Sequence, residues 1–336
     1  MLQELFRIPL PGSLPDIPIW SFGLMMVIGF LAALQLAKYL ARRAGLDPEL
    51  FVNAGLLGLV AGVVGARLSH VLENLGDYTD PSRSVGANLL DAINIRSGGL
   101  TYYGGFLLAF PVLVWYALKN RIPVRAGMDI IAPCLMIGLA FGRIGCFLNG
   151  CCYGKECELP WAVRFPYQSL PYQDEFAHGE VAPPPELLVP LDNGRTRLIT
   201  RDELKQGAIV VDRATGTTAP LPPGARSLAS SQRSQALHPA QLYSALTAFL
   251  IAGITLSYYT FPHAAGRPFA LMMMLEGVTR FVLEMLRTEP PVWGTPLSLS
   301  MWLGLGLVLG GAILWVGFGR LASAASLRPA PAPAHA

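Results

Sequence analysis

Arg143 stands inside an apolar run, residues 137–154, that reads IGLAFGRIGCFLNGCCYG and closes on glycines. A charge held at membrane depth is costly and ordinarily faces a bundle interior or a wet cavity, so it marks a candidate functional group. Gly142, Gly145, Gly150 and Gly154 thin the surface around it, letting backbone or ligand approach the guanidinium. The planar five-donor fork of arginine suits bidentate grip on phosphate or carboxylate, and in a lipid bilayer phosphate is the expected anion. An arginine snorkelling from a helix end towards the headgroups is the competing reading. A second set of charges lies in EGVTRFVLEMLR, where Glu276, Arg280, Glu284 and Arg287 follow at spacings of four, four and three. On a helix this is one face of alternating charge. It either pairs helices or serves a site, and the position of Arg280 near the middle of its apolar segment favours the site.

Weaker signals accompany these. Arg67 in GARLSHVLEN has His70 and Asn74 three and seven residues on, one polar face at the end of an apolar segment. SGGLTYYGGF at 97–106 sets Tyr102 and Tyr103 between two glycine pairs. Small residues there permit close helix approach, while a buried tyrosine hydroxyl needs a polar partner such as a lipid phosphate or carbonyl. His238, Gln241 and Tyr243 open another apolar segment as HPAQLY. Cys146, Cys151, Cys152 and Cys157 have neither paired C-x-x-C spacing nor the histidines of a zinc site, so no metal is expected. A bridge from Cys151 or Cys152 to Cys157 is expected on an oxidising outer face, with Cys146 packed in its helix.

Positioning these groups requires long apolar elements, and the composition supplies them. Of 336 residues, 52% are hydrophobic and 14% charged, with mean hydropathy +0.44, whereas soluble domains carry about a quarter charged residues. Net charge is only +3 and no basic run suggests nucleic acid. Segments 17–40, 49–72, 100–118, 126–148, 237–259, 269–286 and 296–318 each approach the about 20 apolar residues of a spanning helix. The first continues into Lys38, Arg42 and Arg43 without a small-residue cleavage site, and so reads as a retained span. The expected fold is therefore an all-α integral membrane protein of seven transmembrane helices, with a small, partly β periplasmic head between spans four and five. Lys38, Arg42 and Arg43, then Lys119, Arg121 and Arg125, then Arg267, and finally Arg320 and Arg328 follow the odd-numbered spans. The positive-inside rule puts these in the cytoplasm, with the N-terminus periplasmic and the C-terminus cytoplasmic.

The parts divide as 1–155 for spans one to four with an outer loop at 73–99, 156–236 for the head, 237–320 for spans five to seven, and 321–336 for a disordered tail ending RPAPAPAHA. The outer loop has room for a short amphipathic element on the membrane surface. In the head, Asn193-Gly194 between apolar runs signals a hairpin, and 208–211 a further strand.

Taken jointly, FGLMMVIGF (22–30), GAR (65–67), GGLTYYGG (98–105), DIIAP (129–133), GRIGCFLNGCCYG (142–154), HPAQLY (238–243) and RFVLEMLR (280–287) resemble, in order and spacing, the bacterial phosphatidylglycerol:prolipoprotein diacylglyceryl transferases. The resemblance implies an inner-membrane enzyme that moves diacylglycerol from phosphatidylglycerol to the lipobox cysteine of a prolipoprotein signal peptide, giving a thioether without a cofactor. It carries the family's motif arginines onto Arg143 and Arg280 and also matches Asn149 and Gly154. Arg67, Tyr102, His238, Gln241, Tyr243 and Arg287 join these as expected substrate contacts among membrane lipids. The chain departs from better-known members at Tyr103, where they carry histidine, at Cys146 and Cys151, where they carry Asn and Glu, at Phe22, and at Glu276.

The chemistry makes its own demands. A thiol must become thiolate to attack carbon and the phosphate ester must leave as an anion, so cations belong at the phosphate and a proton acceptor beside the thiol. Arg143 and Arg280 meet the first need; Tyr103, Glu284 and Glu276 are open choices for the second. A lipid-binding paralogue without transfer is the alternative class, and a transporter would show repeated halves, which are not found.

Overall fold

The computed structural model describes residues 4–8, 17–79, 84–94, 99, 101–191, 194–212, 217–287, 291–292 and 294–321. Five of the described helices are long and apolar enough to cross a membrane by length and composition: α1 (Ser21–Arg43), α2 (Pro48–Glu73), α6 (Val124–Asn149), α10 (Ala240–Thr260) and α12 (Leu299–Leu321). Two further helices have 18 residues each: α5 (Tyr102–Lys119), with a described apolar stretch Gly104–Lys119, and α11 (Arg267–Glu284), which carries Arg267, Glu276, Arg280 and Glu284. Between them the chain forms α3 (Leu75–Tyr78), α4 (Val85–Ile93), and a run of short elements from 163 to 237.

Starts and stops follow from local chemistry. α1 begins at Ser21, later than the apolar pattern suggested, because β2 (Ile17–Trp20) pairs antiparallel with β1 (Glu4–Ile8) and takes the first residues as strand. Pro18 favours that extended course. Asp47 accepts a hydrogen bond from Glu49 N at 2.9 Å, with Pro48 at the first position of α2. The fifth apolar segment likewise starts late, at Ala240, since β8 (Arg233–Leu237) and Pro239 precede it.

By its internal contacts the chain divides into two units. The second comprises Leu31–Leu135, Ala252–Met272 and Gly311–Ala336. Its core gathers Leu40, Ala41, Phe51, Ile130, Cys134 and Tyr259. α2 and α5 pack closely through glycines: a Cβ on Gly65 would collide with the Gly104 carbonyl, and one on Gly105 would lie 2.9 Å from Gly62 O. The 73–99 loop carries the short helix α4, begun by Ser84 capping Ala87 N at 3.2 Å. It leaves Val85, Leu89, Leu90 and Ile93 exposed.

Asp129 of DIIAP is 1% exposed and accepts from Gly266 N at 2.7 Å and Phe269 N at 3.3 Å, capping the start of α11 from another helix. His263 Nε2 lies 3.6 Å from the same carboxylate, while its Nδ1 faces Phe261 O at 2.7 Å. Burial works against the His263 proton, but the bond to Asp129, the Phe261 carbonyl and the Asp129 charge outweigh it, so its pKa is raised. The stability this pair adds is full below the unfolded imidazole value of about 6.5 and is lost as pH rises through the raised folded value. Asp129→Asn should lower stability by about 1.5–3 kcal/mol and flatten that slope. Thermal unfolding in detergent at about pH 6 and about pH 8 checks this; equal slopes for variant and parent would refute it.

The first unit comprises Met1–Phe30, Met136–Ile251 and Met273–Gly310. In its 150–239 stretch, β3 (Val163–Pro166) pairs with β8, β4 (Leu188–Pro190) with β5 (Thr196–Leu198), and β6 (Ala208–Asp212) with β7 (Thr217–Pro220), all antiparallel. The expected hairpin is β4–β5, closed by Gly194 at φ 75, with Asn193 outside the described residues. The strand expected at 208–211 is β6. Its small core joins Tyr167, Tyr172, Leu187, Leu198, Ala225 and Ala229. Arg197 grips Glu203 through both terminal nitrogens at 2.8 and 2.6 Å, and Thr200 completes a capping box with it. Arg197 first, then the Thr200 and Val210 amides, hold the Glu203 carboxyl down at about 2 against the opposing effect of burial. Of the tail expected at 321–336, Leu321 is the last residue of α12, and 322–336 lie outside the described residues.

Candidate active site

The C-terminal end of α6 carries the first group. Gly150 at φ 81 ends the helix, its N–H returning to Cys146 O at 2.9 Å. Cys152 is also left-handed, at φ 59, which turns the chain back on itself. Gln241 of α10, fully buried, donates Nε2 to Cys151 O at 2.7 Å and pins this turn.

The chain then runs extended between two other elements. Gly154 N donates to His238 O at 3.0 Å, His238 N to Lys155 O at 2.9 Å, and Lys155 N to Leu286 O at 2.7 Å. Lys155 Nζ reaches Met285 O at 3.1 Å, a cation on a carbonyl at the end of α11. The signature segment, the opening of α10 and the end of α11 are thus joined by main-chain bonds.

Residues flanking these joints line a small cavity of about 30 Å³, room for a water or two. Arg143 of α6, Cys152, Ser244 of α10, and Glu276, Thr279, Arg280, Glu284 and Arg287 of the α11 segment line it. The alternating face read from the sequence does converge on Arg143. Among the described residues Arg143 has no hydrogen-bond partner, and the Arg280 Nε is buried without one while its Nη2 lies 3.5 Å from Ser300 Oγ. Glu276 lies within electrostatic reach of Arg280 and Arg143. Glu284, 6% exposed, accepts from Ser298 Oγ at 3.1 Å and faces Arg287 Nη1 at 3.5 Å. Three guanidiniums against two carboxylates leave the lining cationic, suited to an oxyanion such as a phosphodiester.

Other expected residues fall elsewhere. Gly154 is buried and serves a close approach: a Cβ there would lie 2.7 Å from His238 Cβ and 2.8 Å from Leu286 O. His238 contributes main-chain bonds; its ring packs edge-on to Tyr243 at 6.0 Å, and the Tyr243 hydroxyl accepts from Trp161 Nε1 at 2.8 Å. Asn149 ends α6 beside Cys151. Arg67, expected at lipid, is occupied with main chain in the second unit: Nε to Ala92 O at 2.8 Å, Nη2 to Asp91 O at 2.7 Å and Nη1 to Gly99 O at 2.9 Å. The first two are carbonyls in the last turn of α4, the negative end of the helix, and Asp91 O also accepts from Asn94 N at 3.3 Å. The Tyr102 and Tyr103 side chains lie outside the described residues.

The expected bridge to Cys157 is not formed. All five cysteines are free, and Cys157 is drawn away by its N–H bond to Ala236 O at 2.8 Å. Instead Cys146, Cys151 and Cys152 bring their sulfurs within 4.8 Å of one another. Sequence reasoning missed Cys152, Ser244 and Thr279 as lining residues. The signal for Thr279 was its place beside Arg280 on the charged face; Cys152 gave none, because its left-handed backbone is not readable from residue type.

A family model described as prolipoprotein diacylglyceryl transferase matches residues 9–317. The phosphatidylglycerol--prolipoprotein diacylglyceryl transferase of Chromobacterium violaceum is 27% identical over 320 residues, covering 93% of this chain and 96% of the relative. That of Clostridium tetani is 24% identical over 307 residues, 91% of this chain and 96% of the relative. The Rhodopirellula baltica protein of the same name is 32% identical over 171 residues, 51% of this chain and 34% of its own length. With all but short ends of the chain inside the family match, it belongs to the prolipoprotein diacylglyceryl transferase family.

Proposed function

We propose that this protein transfers the diacylglyceryl group of phosphatidylglycerol to the lipobox cysteine thiol of prolipoproteins, the first step of lipoprotein maturation. The observation that carries this reading is the cationic cavity in which Arg143 meets Arg280 and Arg287. The thiolate attacks the diacylglyceryl carbon that bears the phosphate ester. The carbon–oxygen bond breaks, a carbon–sulfur bond forms, and glycerol phosphate departs with the oxygen and its electron pair. Arg143 and Arg280 bind the phosphate and stabilise the charge that grows on it, an effect strengthened by the low dielectric around them. The thiol proton passes to Glu284, Glu276 or Tyr103. A lipobox thiol has a pKa of roughly 8.5, so a few per cent is thiolate at neutral pH and nearby guanidiniums raise that share.

The reading places the protein in the bacterial inner membrane with seven spans, α5 and α11 joining the five longer helices. The N-terminus and the 156–236 segment lie in the periplasm, where exported prolipoproteins arrive, and the C-terminus in the cytoplasm. The run of Lys38, Arg42 and Arg43 at the end of α1 supports this orientation.

Complementation of a strain depleted of its own diacylglyceryl transferase tests the activity. The expected result is growth and a mass gain of one diacylglyceryl group on a reporter lipoprotein. An unmodified reporter, with the protein present in the membrane at normal abundance, would replace transfer by lipid binding alone.

A further inference from the structure

Cys146, Cys151 and Cys152 stand at positions where the resemblance noted above would put other residue types at two of the three, and the proposed reaction uses none of them. Their sulfurs nevertheless converge within 4.8 Å of one another. The backbone is shaped to bring them there. Gly150 at φ 81 and Cys152 at φ 59 are both left-handed, a conformation that non-glycine residues rarely adopt. The Cys151 N–H bonds Cys146 O at 3.1 Å, and buried Gln241 holds the Cys151 carbonyl. We propose that Cys146, Cys151 and Cys152 form a three-thiolate site for a thiophilic metal ion of the Zn²⁺, Cd²⁺ or Cu⁺ class, with Cys152 also lining the arginine cavity.

Three arguments support it. Sulfurs around such an ion, at metal–sulfur bonds of about 2.3 Å, stand about 4 Å apart in a trigonal set, so side-chain adjustment alone closes the trio on an ion. Thiolates without histidine or carboxylate select soft ions over Mg²⁺ or Ca²⁺. Three thiolates around a divalent ion leave one negative charge, and Arg287 and Arg143 act electrostatically on Cys152 to offset it. Cys134 and Cys157 stand outside the cluster: the Cys134 thiol donates to Ile130 O at 3.1 Å.

Titration of the reduced, full-length protein in detergent with Cd²⁺ tests the site through the ultraviolet charge-transfer absorption of cadmium–thiolate bonds. One ion per chain should bind, Zn²⁺ should displace it, and in the parent protein Cd²⁺ should protect three of the five cysteines from alkylation. Cys146→Ser, Cys151→Ser and Cys152→Ser should each weaken binding at least roughly tenfold, whereas Cys134→Ser and Cys157→Ser should not. Absence of the absorption band, protection of a different set of thiols, or an oxidised cysteine pair that persists in reductant would overturn the assignment.

Discussion

Arg280→Lys is expected to reduce turnover of phosphatidylglycerol by roughly two to three orders of magnitude, and Arg143→Lys by a similar factor. Lysine keeps the charge at each position, so a role limited to overall positive potential would survive the exchange. A guanidinium that grips two phosphate oxygens at once would not be replaced by one compact ammonium. Both parent side chains have donors without protein partners among the described residues, Arg143 entirely and Arg280 at Nε. Losing the fork therefore removes no internal hydrogen bond of Arg143, and the variant should fold and reach the membrane as the parent does. Thioether formation on a lipobox peptide, followed by mass with purified protein in detergent, is the measurement. Wild-type rates in both lysine variants would remove the two arginines from the phosphate. Loss that appears in kcat more than in KM would place their interaction with the leaving group as it gains charge, since only contacts stronger in the transition state raise the chemical rate.

Much of the scaffold was legible because a spanning helix needs only length and apolarity. The pattern at 126–148 gave α6 to within two residues, and that at 49–72 gave α2 to within one. Where the reading slipped, a distant partner decided the matter. Residues 17–20 continue the apolar run of the first span, yet pair with 4–8 across a connection containing Pro11 and Pro15. The Asn193-Gly194 turn betrayed its hairpin locally, whereas β3 and β8, some seventy residues apart in sequence, left no signal in either strand. The site shows the same division. Helical spacing puts Glu276, Arg280 and Glu284 on one face, and Arg287 follows in the turn just past the end of α11. The service of Arg67 to the end of α4, and the gathering of three cysteines, depend on loop geometry that a residue type does not encode.

The glycine that ends the signature is the sharpest test of how tightly that geometry constrains the reaction. Gly154→Val should lower turnover by at least roughly two orders of magnitude, although Gly154 carries no functional group. The Cβ of any substituent would sit 2.7 Å from His238 Cβ and 2.8 Å from Leu286 O. Neither neighbour is a flexible side-chain end, so one of the two backbones must withdraw. If the 286 side moves, it carries Glu284 and Arg287 with it; if the 238 side moves, it shifts Ala240 and Gln241, and with Gln241 the turn that places Cys152. Either movement displaces lining of the cavity by the fraction of an ångström to which oriented catalysis is sensitive. Gly142 on α6 supplies the control, because a Cβ there meets only Met26 Sδ at 3.6 Å, an ordinary contact. Gly142→Ala should therefore keep near-parental turnover, and both variants should reach the membrane at comparable abundance. Equal damage from both changes would mean that the whole signature helix, rather than the junction of residues 154, 238 and 286, governs activity; a fully active Gly154→Val would mean that the junction does not position the arginines at all.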